Sequence, residues 1–516
     1  KHMNGANALV RTLLASEVDV CFSNPGTSEM HFVAALDSVP EMRCVLGLFE
    51  GVVTGAADGY ARMAGKPAAT LLHLGPGLAN GFANVHNAKK GRSPMVNVVG
   101  EHATWHQHYE TPLRSDIQAI AGACSDWVKT SNDAKDVAND AAQAVAQANA
   151  GGRISTLILP ADTAWNESNG PAPAAAVITR PQVASDAIKK AAELMKSGKR
   201  CTLMMTGELL VEPLVSIAQQ IAQATGCQLL AQQSNARMSR GQGRVDVARV
   251  PYPVAQARPA LADIEVLILL GANPPASFFA YPDQPNMMAP DDCEMVTLAS
   301  RDDDSPAALK ALADELNANA ESVQIATRDA LVVPDGDLTA DLVMQTVAAL
   351  LPENAVLCDE SVSSGRQLFK FTAQAAPHDY LQITGGAIGI GSPLAAGAAV
   401  GSPGRKVVSL QADGAMMYTV QGLWTQAREQ LDVTTVILHN RAYRILQGEL
   451  TAVGVQNPGP NAQQMLNLDD PPIDWVSLSK GLGVPATAVR TATELASAFK
   501  AGLASEGPSL IEAFIP

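Results

Sequence analysis

Residues 406–440, KVVSLQADGAMMYTVQGLWTQAREQLDVTTVILHN, limit the fold of this chain more than any other stretch. The apolar run at 407–410 reads as a buried strand and leads into Ala412-Asp413-Gly414. Residues 418–429 carry a helical pattern, and a second apolar run at 433–438 reads as the next strand, ending at His439-Asn440. In a parallel α/β sheet Asp413 and Asn440 both fall at the carboxyl edge, where ligands bind. A carboxylate beside an amide oxygen and backbone carbonyls makes an oxygen cage for a hard cation. Mg²⁺ suits it, because Mg²⁺ takes few protein ligands and completes its octahedron with phosphate oxygens and water. The plainer alternative is a strand-to-helix turn with Asp413 as a cap.

A chain of 516 residues is too long for one core, and three domains are the natural expectation. A net charge of −15 argues against nucleic acid or an anionic membrane surface as partner. The seven cysteines are scattered without a C-x-x-C pair, which fits a reducing cytoplasm. No apolar run reaches membrane-spanning length, and no secretory signal pattern opens the chain. Lys1-His2 before Met3 reads as an expression remnant.

Helix and strand patterns alternate along the chain, so the expected class is α/β, with three doubly wound parallel-sheet domains of similar size. The first spans residues 3–165, with strands at 18–22, 44–48, 68–74, 95–100 and 154–159, and helices at 4–16, 51–63, 78–90 and 133–150. Gly75-Pro76-Gly77 reads there as a turn. A Pro/Ala-rich linker follows at 166–182. The middle domain, 183–330, carries strands near 202–205, 228–231, 266–270 and 295–298. A second linker near 327–337 precedes the third domain, 338–516.

Several polar residues stand at strand ends or helix starts. Glu50 precedes a Gly-rich helix start; a lone carboxylate there is usually a cap or a solvated charge. His73 ends a strand, and such a histidine is more often structural than catalytic. Leu74-Gly75-Pro76-Gly77-Leu78-Ala79-Asn80 is a near miss to the dinucleotide fingerprint, but Asn80 fills the third Gly position and Pro76 stiffens the turn. His102, His106 and His108 have spacing that could mimic a zinc cluster, yet no fourth ligand is evident. A surface loop over the mouth of a site is the better home for them.

These segments together resemble the thiamine diphosphate (ThDP) enzyme superfamily of acetolactate synthase and benzoylformate decarboxylase, over essentially the whole chain. Ala412-Asp413-Gly414 followed by Asn440 is similar to the diphosphate-anchoring motif, with Ala412 in place of the usual Gly. The segment FEGVVTGAADGYARMAGKP and the run Gly75-Pro76-Gly77 to Asn80 match the family's order as well. The resemblance implies an N-terminal pyrimidine-binding domain, a middle domain and a C-terminal diphosphate-binding domain. It implies that Asp413, Asn440 and the Ala442 carbonyl hold Mg²⁺, that Glu50 binds the pyrimidine ring, and that the Gly386 carbonyl receives the 4′-amino group. Ile388 would be the apolar wedge beneath the bent cofactor. Asn24, Pro25, Asn80, Ser361, Ser363, Gly414 and Ala415 would complete the cofactor site. His73 and Thr27 would face the substrate, and His102, His106, His108, Phe279, Ile445 and Leu446 would line its pocket.

The implied activity is decarboxylation of a 2-oxo acid, a small molecule, through a C2-bound enamine. A proton, or a second carbonyl compound such as an aldehyde or ketone, then captures the enamine. A homodimer is the implied minimum, because Glu50 and Asp413 meet across a subunit interface in the family, and homotetramers are common. Two departures bear on the outcome. Ser277-Phe278-Phe279-Ala280-Tyr281 lacks the second histidine of benzoylformate decarboxylase-like members, and Leu446 stands where pyruvate decarboxylase-like members carry Glu. With both usual second proton donors missing, protonation of the enamine would need water or one of His102, His106 and His108, which shifts weight toward carboligation or toward an unfamiliar substrate. A flavin-bearing 2-oxo acid oxidase of the same fold and a catalytically silent ThDP-binding homologue stay open as alternatives. FAD itself is not expected, though no sequence feature decides its presence.

Overall fold

The computed structural model describes residues 2–319, 323–325 and 329–516. Residues 327 and 328, the expected start of the second linker, lie outside the described residues, as do 320–322 and 326 of the expected middle domain.

Three sheets carry the chain. The first has six parallel strands in the order Arg43–Leu46, Val20–Asn24, Ala68–His73, Met95–Glu101, Ile154–Pro160, Trp127–Thr130. The second has five, also parallel: Ala248–Arg249, Gln228–Ala231, Cys201–Met205, Val266–Leu270, Glu294–Ala299. The third has seven: Ala486–Val489, Ser509–Phe514, Val433–His439, Val407–Ala412, Ala355–Glu360, His378–Gln382, Met238–Arg240. Its first six strands are parallel, and the last pairs antiparallel with His378–Gln382. Central strands such as Met95–Glu101 and Val433–His439 are buried at every residue, which is why apolar residues predominate in them without strict alternation.

Strand order locates the crevices. In the six-stranded sheet the chain winds one way from Val20–Asn24 and the other way from Ala68–His73, so the switch point lies outside Asn24 and His73. In the seven-stranded sheet it lies between Ala355–Glu360 and Val407–Ala412, outside Glu360 and Asp413.

Small residues let these two sheets share a helical interface. Helix Glu50–Ala64 packs on helix Gly391–Gly401 so closely that a Cβ at Gly59 would collide with the Leu394 carbonyl oxygen, and one at Gly397 with that of Ala56. Buried Arg62 pairs with Asp58 at 2.8 Å and donates to the carbonyls of Gln382 (2.6 Å) and Ala236 (3.0 Å), joining all three segments.

Three features differ from expectation. Gly75-Pro76-Gly77 is not a turn but part of the first turn of helix Leu74–Gly91. Pro is accommodated there because a first-turn N–H has no intrahelical acceptor. Residues 418–429 do not form one helix: Asp413–Met416 is followed by a 3₁₀ turn, Met417–Thr419, and then by helix Gly422–Arg428. Finally, the third sheet is not wholly parallel; its edge strand Met238–Arg240 comes from between the strands of the five-stranded sheet.

Candidate active site

Asp413 begins directly where strand Val407–Ala412 ends, and it is 1% exposed. Its Oδ1 accepts the Gly414 N–H (2.8 Å) and its Oδ2 the Arg441 N–H (2.7 Å). Asn440, at the end of the adjacent strand, accepts the Ala442 N–H on Oδ1 (3.2 Å) and donates through Nδ2 to Ser364 Oγ (3.2 Å). The two strands pair in register up to Ala412 and Leu438, so the polar ends are side by side. Arg441 holds a left-handed φ of 60°, which turns its N–H back to Asp413. Gly414 must be small, because a Cβ there would strike the Tyr443 ring.

Burial raises the Asp413 carboxyl above the ordinary range; its backbone donors and the Arg441 charge offset this only in part. The nearest side-chain cation candidate, His439, is 4.0 Å away, and burial pushes its own pKa down to about 4, so it is neutral at pH 7. A buried carboxylate with no Lys or Arg ion pair among the described residues, beside an amide oxygen, is a donor set that fits a hard divalent cation. His102 bonds Thr111 (3.1 Å), and among the described residues no group of three or more His, Cys, Asp or Glu is placed to hold an ion.

The glycine loop before helix Gly391–Gly401 is held by side chains from distant elements. Asn87 accepts from the Gly385 and Ala387 N–H groups (3.1 and 3.2 Å) and donates to the Ala387 carbonyl (2.8 Å). Asn84 bridges the carbonyls of Gly51 (2.7 Å) and Gly389 (3.2 Å), and His86 Nε2 lies 2.9 Å from the Gly385 carbonyl. From below, Glu360 accepts the N–H groups of Gly389 (2.8 Å) and Ile390 (2.9 Å). Glu360 is fully enclosed, and burial raises its pKa to about 7. Gly386, at φ 74°, is exposed on this loop. Ile388 is half-buried; the core residue here is Ile390, 0% exposed. On the neighbouring segment, the Ser361 hydroxyl donates to Asp359, and it is Ser364 that reaches Asn440. Val362 holds φ 52°, a strained backbone for a β-branched residue.

The six-stranded sheet brings a second group to its switch point. His73 Nδ1 lies 2.9 Å from Glu29 Oε2, and Glu29 is 1% exposed. Burial lifts the Glu29 carboxyl to about 7, with His73 pulling the other way. The His73 ring packs on Gly26, where any Cβ would collide with it, so it stands beside exposed Thr27. Asn24 ties the same loop to the Gly47 carbonyl (2.8 Å). Pro25 is half-buried between them. Glu50 opens its helix and accepts from Asn80 Nδ2 at 3.3 Å. Among the described residues, no hydrogen bond or ion pair joins Glu50 to Asp413 or Asn440 within one chain.

Covering elements surround these edges. A Cβ at Gly75 would strike Ser115, so the loop bearing His102, His106 and His108 folds over the helix that follows His73. Phe278, next to Phe279, lies against Gly386. Helix Arg444–Ala452 carries Ile445 and exposed Leu446 directly after the Asp413–Asn440 edge. The buried polar residues Glu29, Asn84, Asn87 and Glu360, and half-buried His86, were not expected. Only the Asn84 and Asn87 spacing hints at a shared helix face.

The comparisons with known proteins agree with this architecture. Residues 3–123 match "Thiamine pyrophosphate enzyme, N-terminal TPP binding domain", and residues 362–513 match "Thiamine pyrophosphate enzyme, C-terminal TPP binding domain". The chain is 49% identical to a Mycobacterium tuberculosis protein described as "Putative acetolactate synthase large subunit IlvX", covering 100% of this chain and 99% of that protein. It is 28% identical to benzoylformate decarboxylase of Pseudomonas aeruginosa, over 95% of each. In fold it is similar to the 4-hydroxybenzoylformate decarboxylase of Rhodococcus jostii RHA1, with a TM-score of 0.86, 24% identity and 99% coverage of both chains. The chain therefore belongs to the thiamine diphosphate enzyme family, and is an enzyme of the acetolactate synthase and benzoylformate decarboxylase type. Among the described residues, no helix is long and apolar enough to cross a membrane.

Proposed function

We propose that this enzyme uses ThDP and Mg²⁺ to remove CO₂ from a 2-oxo acid and passes the remaining fragment to a proton or to a second carbonyl compound. The observation that carries the metal and cofactor reading is Asp413, a buried carboxylate with no ion pair to Lys or Arg among the described residues, set beside Asn440 at a topological switch point. Asp413, Asn440 and the Ala442 carbonyl would hold Mg²⁺. The Gly385–Gly389 loop, braced by Asn84, Asn87 and Glu360, would seat the aminopyrimidine over Ile388, with Glu50 on its ring nitrogen. Ser361, Ser363, Asn24, Pro25, Asn80, Gly414 and Ala415 would complete that seat. Bound ThDP supplies a carbon nucleophile that adds to the 2-oxo carbonyl and accepts the electrons left by CO₂.

The remaining work falls to side chains of this protein. Thr27 offers a hydroxyl to the substrate carboxylate. His73, set against Glu29 at 2.9 Å, offers its imidazole to the developing alkoxide or the product carbon. The middle segment sets Phe278 against Gly386, with Phe279 beside it, and carries no histidine there, so the proton-transfer role falls to His73 in this reading. Exposed apolar groups flank both edges: Leu48 is 45% exposed near Glu50, and Tyr418 is 53% exposed near Asp413. They suit burial against a second copy that brings Glu50 to the Asp413 edge, in a homodimer or homotetramer. Seven free cysteines fit a cytoplasmic setting. A panel of 2-oxo acids, assayed for CO₂, aldehyde and hydroxyketone with and without Mg²⁺–ThDP, tests the reading. Cofactor-dependent CO₂ release supports it; no release from any acid counts against it.

A further inference from the structure

Glu449 is not part of the cofactor seat, yet it gathers groups from two other loops. It lies on helix Arg444–Ala452, one turn beyond Ile445 and therefore on the same face. Its Oε1 accepts two phenol hydroxyls, from Tyr252 at 3.2 Å and from Tyr281 at 3.1 Å. Both tyrosines belong to the middle segment, and they arrive from separate loops. The Tyr252 ring lies 5.5 Å from that of Phe278, and Phe278 is the residue set against Gly386. One aromatic ring thus separates the cofactor loop from the Tyr252–Glu449 pair. Among the described residues Glu449 Oε2 takes no hydrogen bond, and the side chain is only half-buried. Arg366 lies over the Tyr252 ring at 5.3 Å and makes no ion pair with Glu449 among the described residues.

A carboxylate with one oxygen saturated and the other free is an acceptor already fixed in place. Two phenols hold it rigid without neutralising its charge. We propose that Glu449 is a specificity-determining residue that reads the far end of the substrate, selecting 2-oxo acids whose side chain ends in a cationic or hydroxyl hydrogen-bond donor. This rests on the 2-oxo acid reading above and narrows it. Thr27 and His73 take the carboxylate and the carbonyl at one end of the pocket. Glu449 Oε2 takes the donor at the other. A purely apolar end would leave that oxygen desolvated and unpaired, and sites built around a hydrogen bond discriminate strongly against ligands that lack it.

The test uses the Mg²⁺–ThDP-loaded protein and four 2-oxo acids of matched chain length, ending in ammonium, hydroxyl, methyl or carboxylate. For the wild type, kcat/KM should be highest for the ammonium acid, next for the hydroxyl acid, and about tenfold or more lower for the methyl acid. Glu449→Gln keeps an oxygen for the tyrosines, so the loops stay docked. It should erase the ammonium preference and leave the methyl acid within about twofold. Two results overturn the inference. A methyl preference in the wild type, with Glu449→Gln altering all four acids by one factor, makes Glu449 a latch for the aromatic loops. A preference for the carboxylate-ended acid hands the far end to Arg366. Calorimetric affinities of the same four acids decide the same question if none of them loses CO₂. That silence would count against the proposed reaction alone, because the order of binding still reads the pocket.

Discussion

At the carboxyl edge of the seven-stranded sheet, Asp413 is 1% exposed and Asn440 7% exposed, and each is fixed by hydrogen bonds at both ends. At the matching edge of the six-stranded sheet, Thr27 is exposed, His73 is partly open to solvent, and only Glu29 behind them is buried. The same contrast separates the glycine loop, braced by Asn84, Asn87 and Glu360, from the rim, where Phe278, Phe279 and Leu446 stand 44%, 54% and 44% exposed. A cofactor that does not change between turnovers can be met by charges and backbone set in advance. On the proposed reading, a substrate would be met by side chains on loops and on the outer face of one helix, which can vary without disturbing the anchor.

If that division holds, substitutions on the two sides should fail in different ways. Glu50→Gln should keep ThDP affinity within about tenfold while slowing proton exchange at the reactive carbon of the cofactor by roughly 10²–10⁴-fold, read by deuterium exchange. His73→Ala should lower kcat/KM by roughly 10²-fold and leave ThDP affinity unchanged. Its melting temperature should move little, because Glu29 can take up a proton and stay neutral in its buried place. Loss of ThDP binding in that variant would erase the boundary between the two sides.

A pH experiment sharpens the substrate side. The Glu29 carboxyl titrates at about 7 in the folded protein, well above the ordinary value of 4.5. The folded state therefore binds a proton that the unfolded chain has released. The resulting stability is complete below about pH 4.5 and is lost as pH rises through about 7. Glu29→Gln should flatten this fall by an amount on the order of 2 kcal/mol, read from urea unfolding of cofactor-free protein at pH 5 and pH 8. Glu360 also titrates at about 7 and contributes with the same sign, so the difference between wild type and variant isolates Glu29. The smallest effect should come from Asn87→Ala, which removes three bonds from the glycine loop. ThDP affinity should drop about tenfold, with kcat at saturating ThDP nearly restored.

Local pattern made one part of this arrangement legible and hid another. Asp413 and Asn440 could be placed because each ends an apolar run, and strand ends in parallel sheets share an edge. His73 was legible for the same reason, whereas Asn24, expected in the loop after a strand at 18–22, in fact ends strand Val20–Asn24. The residues that brace the glycine loop were not legible. Asn87 and Ala387 are separated by 300 positions and Glu360 and Gly389 by 29, and no short-range periodicity reports such pairs. Glu29 carried no sequence signal; the Gly100 backbone and the His73 ring close around it only in the fold. Gly75-Pro76-Gly77 misled because Gly and Pro mark turns in most settings, whereas here the proline sits where a helix tolerates it.

The central claim is that Asp413 anchors the metal and, through it, the diphosphate. Titration calorimetry of ThDP into wild type and Asp413→Ala, each with and without Mg²⁺, tests it most directly. The wild type should bind ThDP with an affinity that rises by roughly 10²-fold when Mg²⁺ is added, and Asp413→Ala should show no Mg²⁺-dependent gain. Equal, Mg²⁺-dependent binding by the two proteins would contradict the account and move the anchor away from this edge of the sheet.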